Sequence, residues 1–281
     1  MIIIQTIKDI KNIISDQKKQ GKTIGFVPTM GFLHEGHLSL VRNAKKENDF
    51  VIVSIFVNPT QFGVGEDFEA YPRDLENDSR LSESAGADVI FCPSISEMYP
   101  GNYQTFVEVT EITNNLCGKS RPTHFRGVTT VVNKLFNIVE PNSAYFGQKD
   151  AQQVAVIQKM VKDLNMNIEV IPCPIIREED GLAMSSRNTY LNPEQRNAAL
   201  ILSKSLFKAK DMISEGCVDA VQIKETLTKM INSEPLAAID YVDVVDALSL
   251  NDIAILKGKV LLALAVKIGK TRLIDNIVVE V

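Results

Sequence analysis

A chain of 281 residues, 45% hydrophobic and 23% charged, can bury a sizeable core in one large domain or two ordinary ones, which excludes a disordered protein. A net charge of −5, with both signs interspersed, argues against the basic face of a nucleic-acid binder but leaves room for a local pocket for a small anion. Cys92, Cys117, Cys173 and Cys217 contain no CxxC pair, so neither a zinc knuckle nor a redox motif is indicated; they read as reduced, buried thiols of a cytoplasmic protein.

The N-terminal MIIIQTIKDIKN has only a three-residue isoleucine run before polar residues and does not read as a signal peptide. Up to about residue 175, β-rich runs alternate with helical periods. The runs are TIGFVP (23–28), FVIVSIFVNP (50–59), DVIFCP (88–93), AYFGQ (144–148) and IEVIPCP (168–174). Helical stripes lie between them: Leu38, Val41 and Ala44; Leu75, Leu81 and Ala85; Val128, Val131, Val132, Leu135 and Val139; Val154, Ile157, Val161 and Leu164. Alternation of this kind predicts βαβ units and a parallel sheet, and continuously apolar strands predict helices on both of its faces. After about residue 175 the character changes. Asn192-Pro193-Glu194-Gln195 is a helix start, with a helix running to Gly216 and a second over 219–232. Strands follow at 240–246, 260–268 and 273–281. VLLALAVKIG (260–269) is the most apolar segment, but it is shorter than the roughly 18–20 residues of a membrane span and carries Lys267, so it reads as a buried strand. The expected fold is α/β: a Rossmann-like domain over 1–175 and a smaller α+β domain over 176–281.

Two of the three histidines fall in PTMGFLHEGH (28–37), a glycine-punctuated turn between a strand and a helix. Amides at a helix start favour an anion, and His34 and His37 can add donors to a phosphate. An ordinary surface pair is the competing reading. A metal site would need i, i+4 histidines on a helix, and no third ligand is evident. Other strand ends carry polar sets. GQKDAQQ (147–153) offers Lys149 to a phosphate and Asp150 to a ribose hydroxyl, while Asp150 with Gln153 also reads as a capping box. Asn58 and Gln61, in SIFVNPTQF (54–62), suit a polar small molecule or simple turn chemistry. KSRPTHFRG (119–127) places Arg121, His124 and Arg126 before a helix, as for an anionic substrate or a surface loop. MSSRN (184–188) can hold phosphate oxygens or serve as an interdomain loop.

Taken together and in order, PTMGFLHEGH, VSIFVNPTQFG, DFEAYPRD, RPTHFRGV, YFGQKDAQQ and AMSSRN resemble the pantoate–β-alanine ligase (pantothenate synthetase) family over nearly the whole chain. The first and last are similar to the HxGH-type and KMSKS-type signatures of the nucleotidyltransferases. The resemblance implies a two-step reaction using ATP and Mg²⁺: pantoate attacks the α-phosphate to give pantoyl adenylate, and β-alanine then attacks the acyl carbon. It implies an ATP site along Met30, Gly31, Phe32, Leu33, His34, Glu35, Gly36 and His37, with His34 and His37 on phosphates and His37 the catalytic residue. Gly147, Gln148, Lys149 and Asp150 extend that site, with Lys149 on phosphates and Asp150 near the ribose. Ile176 contacts adenine through its backbone, and Met184, Ser185, Ser186 and Arg187 close over the nucleotide from a C-terminal lid. Gln61 and Gln153 bind pantoate, Gln61 lying also near β-alanine, and Asn58 assists. Asp78 is the candidate magnesium ligand this implies, the alternative being an ion held mostly by the phosphates. Phe32 stands where the family often has alanine and is expected to narrow the nucleotide entrance without loss of activity. A cytoplasmic homodimer, with no nucleic-acid or membrane partner, completes the expectation. A nucleotidyltransferase moving AMP or CMP to a phosphate acceptor shares the histidine motif but should lack the glutamines at 61 and 153 and the Ser-Ser-Arg context. A non-enzymatic nucleotide sensor would be expected to have lost part of this set.

Overall fold

Strands and helices alternate from the first residues onward in the computed structural model, which describes all 281 residues. In chain order they are β1 (Ile2–Ile4), α1 (Ile7–Lys19), β2 (Ile24–Thr29), α2 (Glu35–Glu47), β3 (Phe50–Ile55), α3 (Leu75–Ala85), β4 (Val89–Phe91), α4 (Ile95–Met98), α5 (Leu116–Ser120), α6 (His124–Val139), β5 (Ser143–Gly147), α7 (Ala151–Asp163) and β6 (Glu169–Cys173). Then come α8 (Pro193–Ala198), α9 (Ile201–Ser214), α10 (Ala220–Asn232), β7 (Ala237–Asp246), β8 (Lys259–Ile268) and β9 (Thr271–Glu280). The ends are set locally. The Asp74 carboxylate caps α3, which stops at Gly86 with φ of 101°. Asn192 and Gln195 form the reciprocal capping box expected at α8.

The chain packs as two units. The first holds residues 1–109, 121–148 and 153–174; the second holds 110–120, 149–152 and 175–281. Residues 110–120 and 149–152, expected within the first block, therefore pack with later ones. Side-chain bonds explain this. The buried Gln152 amide donates to the carbonyls of Ile112 (2.9 Å) and Asn115 (2.8 Å), and Asn115 donates to Leu250 O at 3.0 Å. Ser120 donates to Asp240, and Asn276 to the Lys149 carbonyl at 2.9 Å.

In the first unit six strands form one parallel sheet in the order β1-β4-β3-β2-β5-β6. The middle strands are shut off from water on both faces: Ile24, Phe26, Val27, Val51, Ile52 and Val53 are all fully buried. From β2 the chain moves outward to β3 and β4, then returns to place β5 on the other side of β2. The carboxyl ends of β2 and β5 thus flank a topological switch point, where open α/β sheets bind ligands. PTMGFLHEGH leaves the end of β2, and Gly147 ends β5.

The second unit has an antiparallel sheet, β7-β8-β9. Its inner face and the apolar sides of α9 and α10 share one core, including Leu202, Leu206, Ile223, Leu227, Leu262 and Leu264. In β8 every residue from Val260 to Val266 is buried while Lys267 is exposed, as expected of a core strand.

Candidate active site

The turn after β2 is built around one carboxylate. Gly31 (φ 84°) and Phe32 (φ 51°) are both left-handed, and they turn the next amides the same way. Phe32 N–H and Leu33 N–H donate to the two oxygens of Asp78, at 2.8 and 2.7 Å. A Cβ on Gly31 would stand 2.9 Å from Asp78 Oδ2 and from Ile55, so that position needs glycine for space as well as for φ. Asp78 is 1% exposed. Burial pushes its carboxyl above the usual range, the two amide bonds pull it back, and Asp74 adds to the rise. Both Asp78 oxygens thus brace the loop, a positioning role that stands beside the magnesium role expected of it. No group of three or more His, Cys, Asp or Glu side chains is arranged to hold a metal ion. The residues present therefore do not fit a preformed magnesium cage.

The two histidines cap their own helix. Gly36 N–H donates to His34 Nδ1 at 3.1 Å, and His34 N–H donates to His37 Nδ1 at 3.3 Å. This is a capping box made of imidazoles, with ring centroids 4.1 Å apart. An Nδ1 that accepts from an amide carries a lone pair, so in each neutral ring the proton sits on Nε2. Both rings thus present an Nε2–H donor at the positive end of α2. Glu35 pairs with Arg42 along the helix, which accounts for its side chain.

Gln61 is held from several sides. Asn58 is 1% exposed and fully engaged. Its Oδ1 accepts from Thr60 N–H (3.3 Å), Thr60 Oγ1 (3.0 Å) and Tyr99 Oη (2.8 Å). Its Nδ2 donates to Gly127 O (3.1 Å) and Gln61 Oε1 (3.2 Å). Backbone groups fix the sense of this network, so Gln61 must turn its Nε2 hydrogens the other way, where one meets Met30 Sδ at 3.0 Å. Asn58 is thus a support for Gln61 and has no spare polar atom for substrate. Burial lifts the Tyr99 phenol to about 12, which keeps it a donor. The basic loop is committed as well. His124 Nδ1 donates to Gln61 O at 2.8 Å, Arg121 Nε to Glu66 at 2.6 Å, and Arg126 lies over the Phe106 ring at 4.9 Å. Burial raises the Glu66 carboxyl, but the Arg121 hydrogen bond and charge outweigh it and leave the group below its ordinary value. Gln153 lies half-buried in the first turn of α7.

The remaining expected residues belong to the second unit, apart from Gly147 and Gln148. Gln148–Asp150 forms a 3-10 turn that runs straight into α7, in place of the extended cap expected at Asp150. The Ile176 carbonyl accepts from Met184 N–H at 3.0 Å across a narrow hairpin that turns at Gly181 (φ 94°). The Ser185 hydroxyl caps the short 3-10 turn of Ser186–Tyr190 by accepting from Arg187 N–H at 3.3 Å. Sequence reasoning missed Tyr99, Glu66 and Gln152 as supports.

No helix is long and apolar enough to cross a membrane. Residues 2–278 match the family model described as pantoate-beta-alanine ligase. The chain is 64% identical to the pantothenate synthetase of Acetivibrio thermocellus over 281 residues, all of both chains. It is similar to the crystal structure of pantothenate synthetase from Thermus thermophilus, with TM-score 0.94, 41% identity and 99% of each chain covered. It is also similar to the pantoate-beta-alanine ligase of Francisella tularensis complexed with beta-gamma ATP and beta-alanine. There the TM-score is 0.82 and the identity 42%, covering 99% of this chain and 97% of that one. A parallel sheet with a histidine-capped turn at its switch point, matched along its length by these relatives, belongs to the pantoate–β-alanine ligase family.

Proposed function

We propose that this chain joins pantoate to β-alanine in two steps at the expense of ATP, as a cytoplasmic enzyme acting as a homodimer. A pantoate carboxylate oxygen attacks the α-phosphorus, a P–O bond forms, and pyrophosphate leaves. The β-alanine amine then attacks the acyl carbon of pantoyl adenylate, the amide C–N bond forms, the amine loses a proton, and AMP leaves. The first step gathers negative charge on the phosphates. The Nε2–H groups of His34 and His37, together with the amides that open α2, donate to that charge, and His37 is the catalytic residue. Lys149 adds a cation, and Ser185, Ser186 and Arg187 add hydroxyls and a guanidinium fork. Met30 to Leu33, Gly147, Gln148 and the Ile176 backbone line the nucleotide, with Asp150 near the ribose. Gln61 offers its Nε2 hydrogens to an oxygen of pantoate, and Gln153 offers a second amide. Magnesium, brought with ATP and held mostly by its phosphates, would neutralise charge there. The residues after 175 close over the nucleotide and shield the adenylate from water.

The observation that carries this reading is the histidine capping box at the switch point, in which both Nδ1 atoms accept backbone amides and each neutral ring keeps its proton on Nε2, in a chain of this family. The test is exchange of labelled pyrophosphate into ATP. Pantoate alone should support exchange, and adding β-alanine should yield pantothenate and AMP. Folded protein that gives no pantoate-dependent exchange overturns the first step. His37→Ala should cut exchange by about 100-fold, the loss typical of one donor to a developing charge. Near-normal exchange in that variant would remove His37 from the chemistry.

A further inference from the structure

We propose that Glu66, Arg121 and His124 form a positioning clamp that sets the pantoate-reading Gln61 through its main-chain carbonyl, an inference that rests on the reading of Gln61 given above. The Gln61 carbonyl accepts from two side chains, His124 Nδ1 at 2.8 Å and Arg121 Nη2 at 3.3 Å. Main-chain carbonyls in a short 3-10 turn usually look to water or to the next turn, so two side chains converging on one is a built feature. The members also fix each other. A carbonyl only accepts, so His124 Nδ1 donates, and Arg121 Nη1, which is only a donor, stands 3.2 Å from Nε2, the acceptor in the neutral ring. Glu66 anchors the guanidinium with two oxygens, at 2.6 Å to Nε and 2.5 Å to Nη2. In a neutral ring this tautomer is opposite to the one that the helix cap gives His34 and His37.

The clamp matters because the other side of Gln61 is boxed in as well. Gly127 lets α6 approach so closely that a Cβ there would lie 2.6 Å from Gln61 N. With its backbone pinned at both ends and Oε1 held by Asn58, Gln61 has one way to present its Nε2 donors. Preorganisation of that kind acts on binding of what the amide reads, pantoate first and the β-alanine beside it, and leaves the ATP site alone.

The test uses full-length protein and three variants. His124→Ala should raise the KM for pantoate about tenfold, the scale of one positioning hydrogen bond, with the KM for ATP within about twofold of the parent. His124→Asn puts an N–H where Nδ1–H was and should restore pantoate KM; His124→Gln reaches Arg121 but not the carbonyl and should not. Pantoate KM unchanged in His124→Ala, the KM for ATP raised as much as that for pantoate, or Asn and Gln behaving identically would each overturn the clamp. If His124→Ala does not fold, the Asn and Gln variants decide alone. Amide hydrogen exchange at Thr60–Phe62 gives a readout free of any activity: faster exchange in His124→Gln than in His124→Asn is expected, and equal rates overturn the clamp. A parent enzyme without pantoate-dependent exchange would sink the reading of function instead, while the amide exchange would still judge the clamp.

Discussion

At the scale of single residues, Asp78 shows how a side chain that looks like a metal ligand can be a scaffold. It is almost completely buried, and each oxygen accepts one amide of the loop that follows β2. An asparagine there could accept from only one of the two, since its NH₂ would face the other N–H. Leaving one buried amide unpaired costs about 1–3 kcal/mol, enough to let the left-handed Gly31-Phe32 pair relax and move His34. Asp78→Asn is therefore expected to lower pantoate-dependent pyrophosphate exchange by roughly tenfold or more, while the magnesium concentration giving half-maximal rate stays put. A rightward shift of that magnesium titration, with the maximal rate retained, would restore Asp78 as a metal ligand. Spacing could not reveal this role, because the bonds run from Asp78 to residues 45 and 46 positions earlier.

Among elements, period and punctuation carried the reading a long way. The stripes over α2, α3, α6 and α7 are found within a few residues of their expected limits, as is the Asn192-Pro193 start of α8. What period could not reach has physical causes. β1 is three residues long and gains its order only by pairing with β4, 85 or more positions away. The single helix expected up to Gly216 is two, α8 and α9, parted at Ala199-Leu200, where apolar residues continue and no glycine or proline marks the joint. The site was legible as residue types at strand ends. Their supports were not, because Tyr99, Glu66 and Gln152 act through folded contacts. The join between α6 and the 3-10 turn of Pro59–Gln61 gives a prediction at this scale. Gly127→Ala would drive a methyl to 2.3 Å from Thr60 O and 2.6 Å from Gln61 N, backbone atoms that cannot swing aside. It should destabilise the chain by about 1–3 kcal/mol, seen as a lower thermal midpoint, and weaken pantoate more than ATP. A variant as stable as the parent, with normal pantoate KM, would show that α6 can withdraw without cost.

For the whole molecule, the two units differ in what holds them. The first buries a parallel sheet on both faces and keeps its polar work at strand ends. The second has a small antiparallel sheet under two helices and admits a charge to its interior. Asp275, on β9, is 2% exposed and takes both arms of Arg177, at 2.7 and 2.9 Å. Arg177 also donates to Gly181 O, in the turn of the hairpin that leads to Met184, and lies over the Phe207 ring. The next residue, Asn276, holds the Lys149 carbonyl. One ion pair thus ties together the Ile176–Met184 hairpin, α9 and the strand that anchors Lys149. Removing one partner strands the other charge, which costs about 3–5 kcal/mol, whereas an apolar pair of similar volume is often neutral. Asp275→Ala should therefore lower the thermal midpoint sharply and raise the KM for ATP well before that of pantoate, because Gln61 and its supports lie in the first unit. The double change Arg177→Met with Asp275→Leu should recover most of the midpoint. It should not recover the ATP constant if the charge pair is what orders the hairpin. Recovery of both would mean that packing alone, without the fork of hydrogen bonds, keeps Ser185 to Arg187 in place, and the ion pair would lose its part in nucleotide binding.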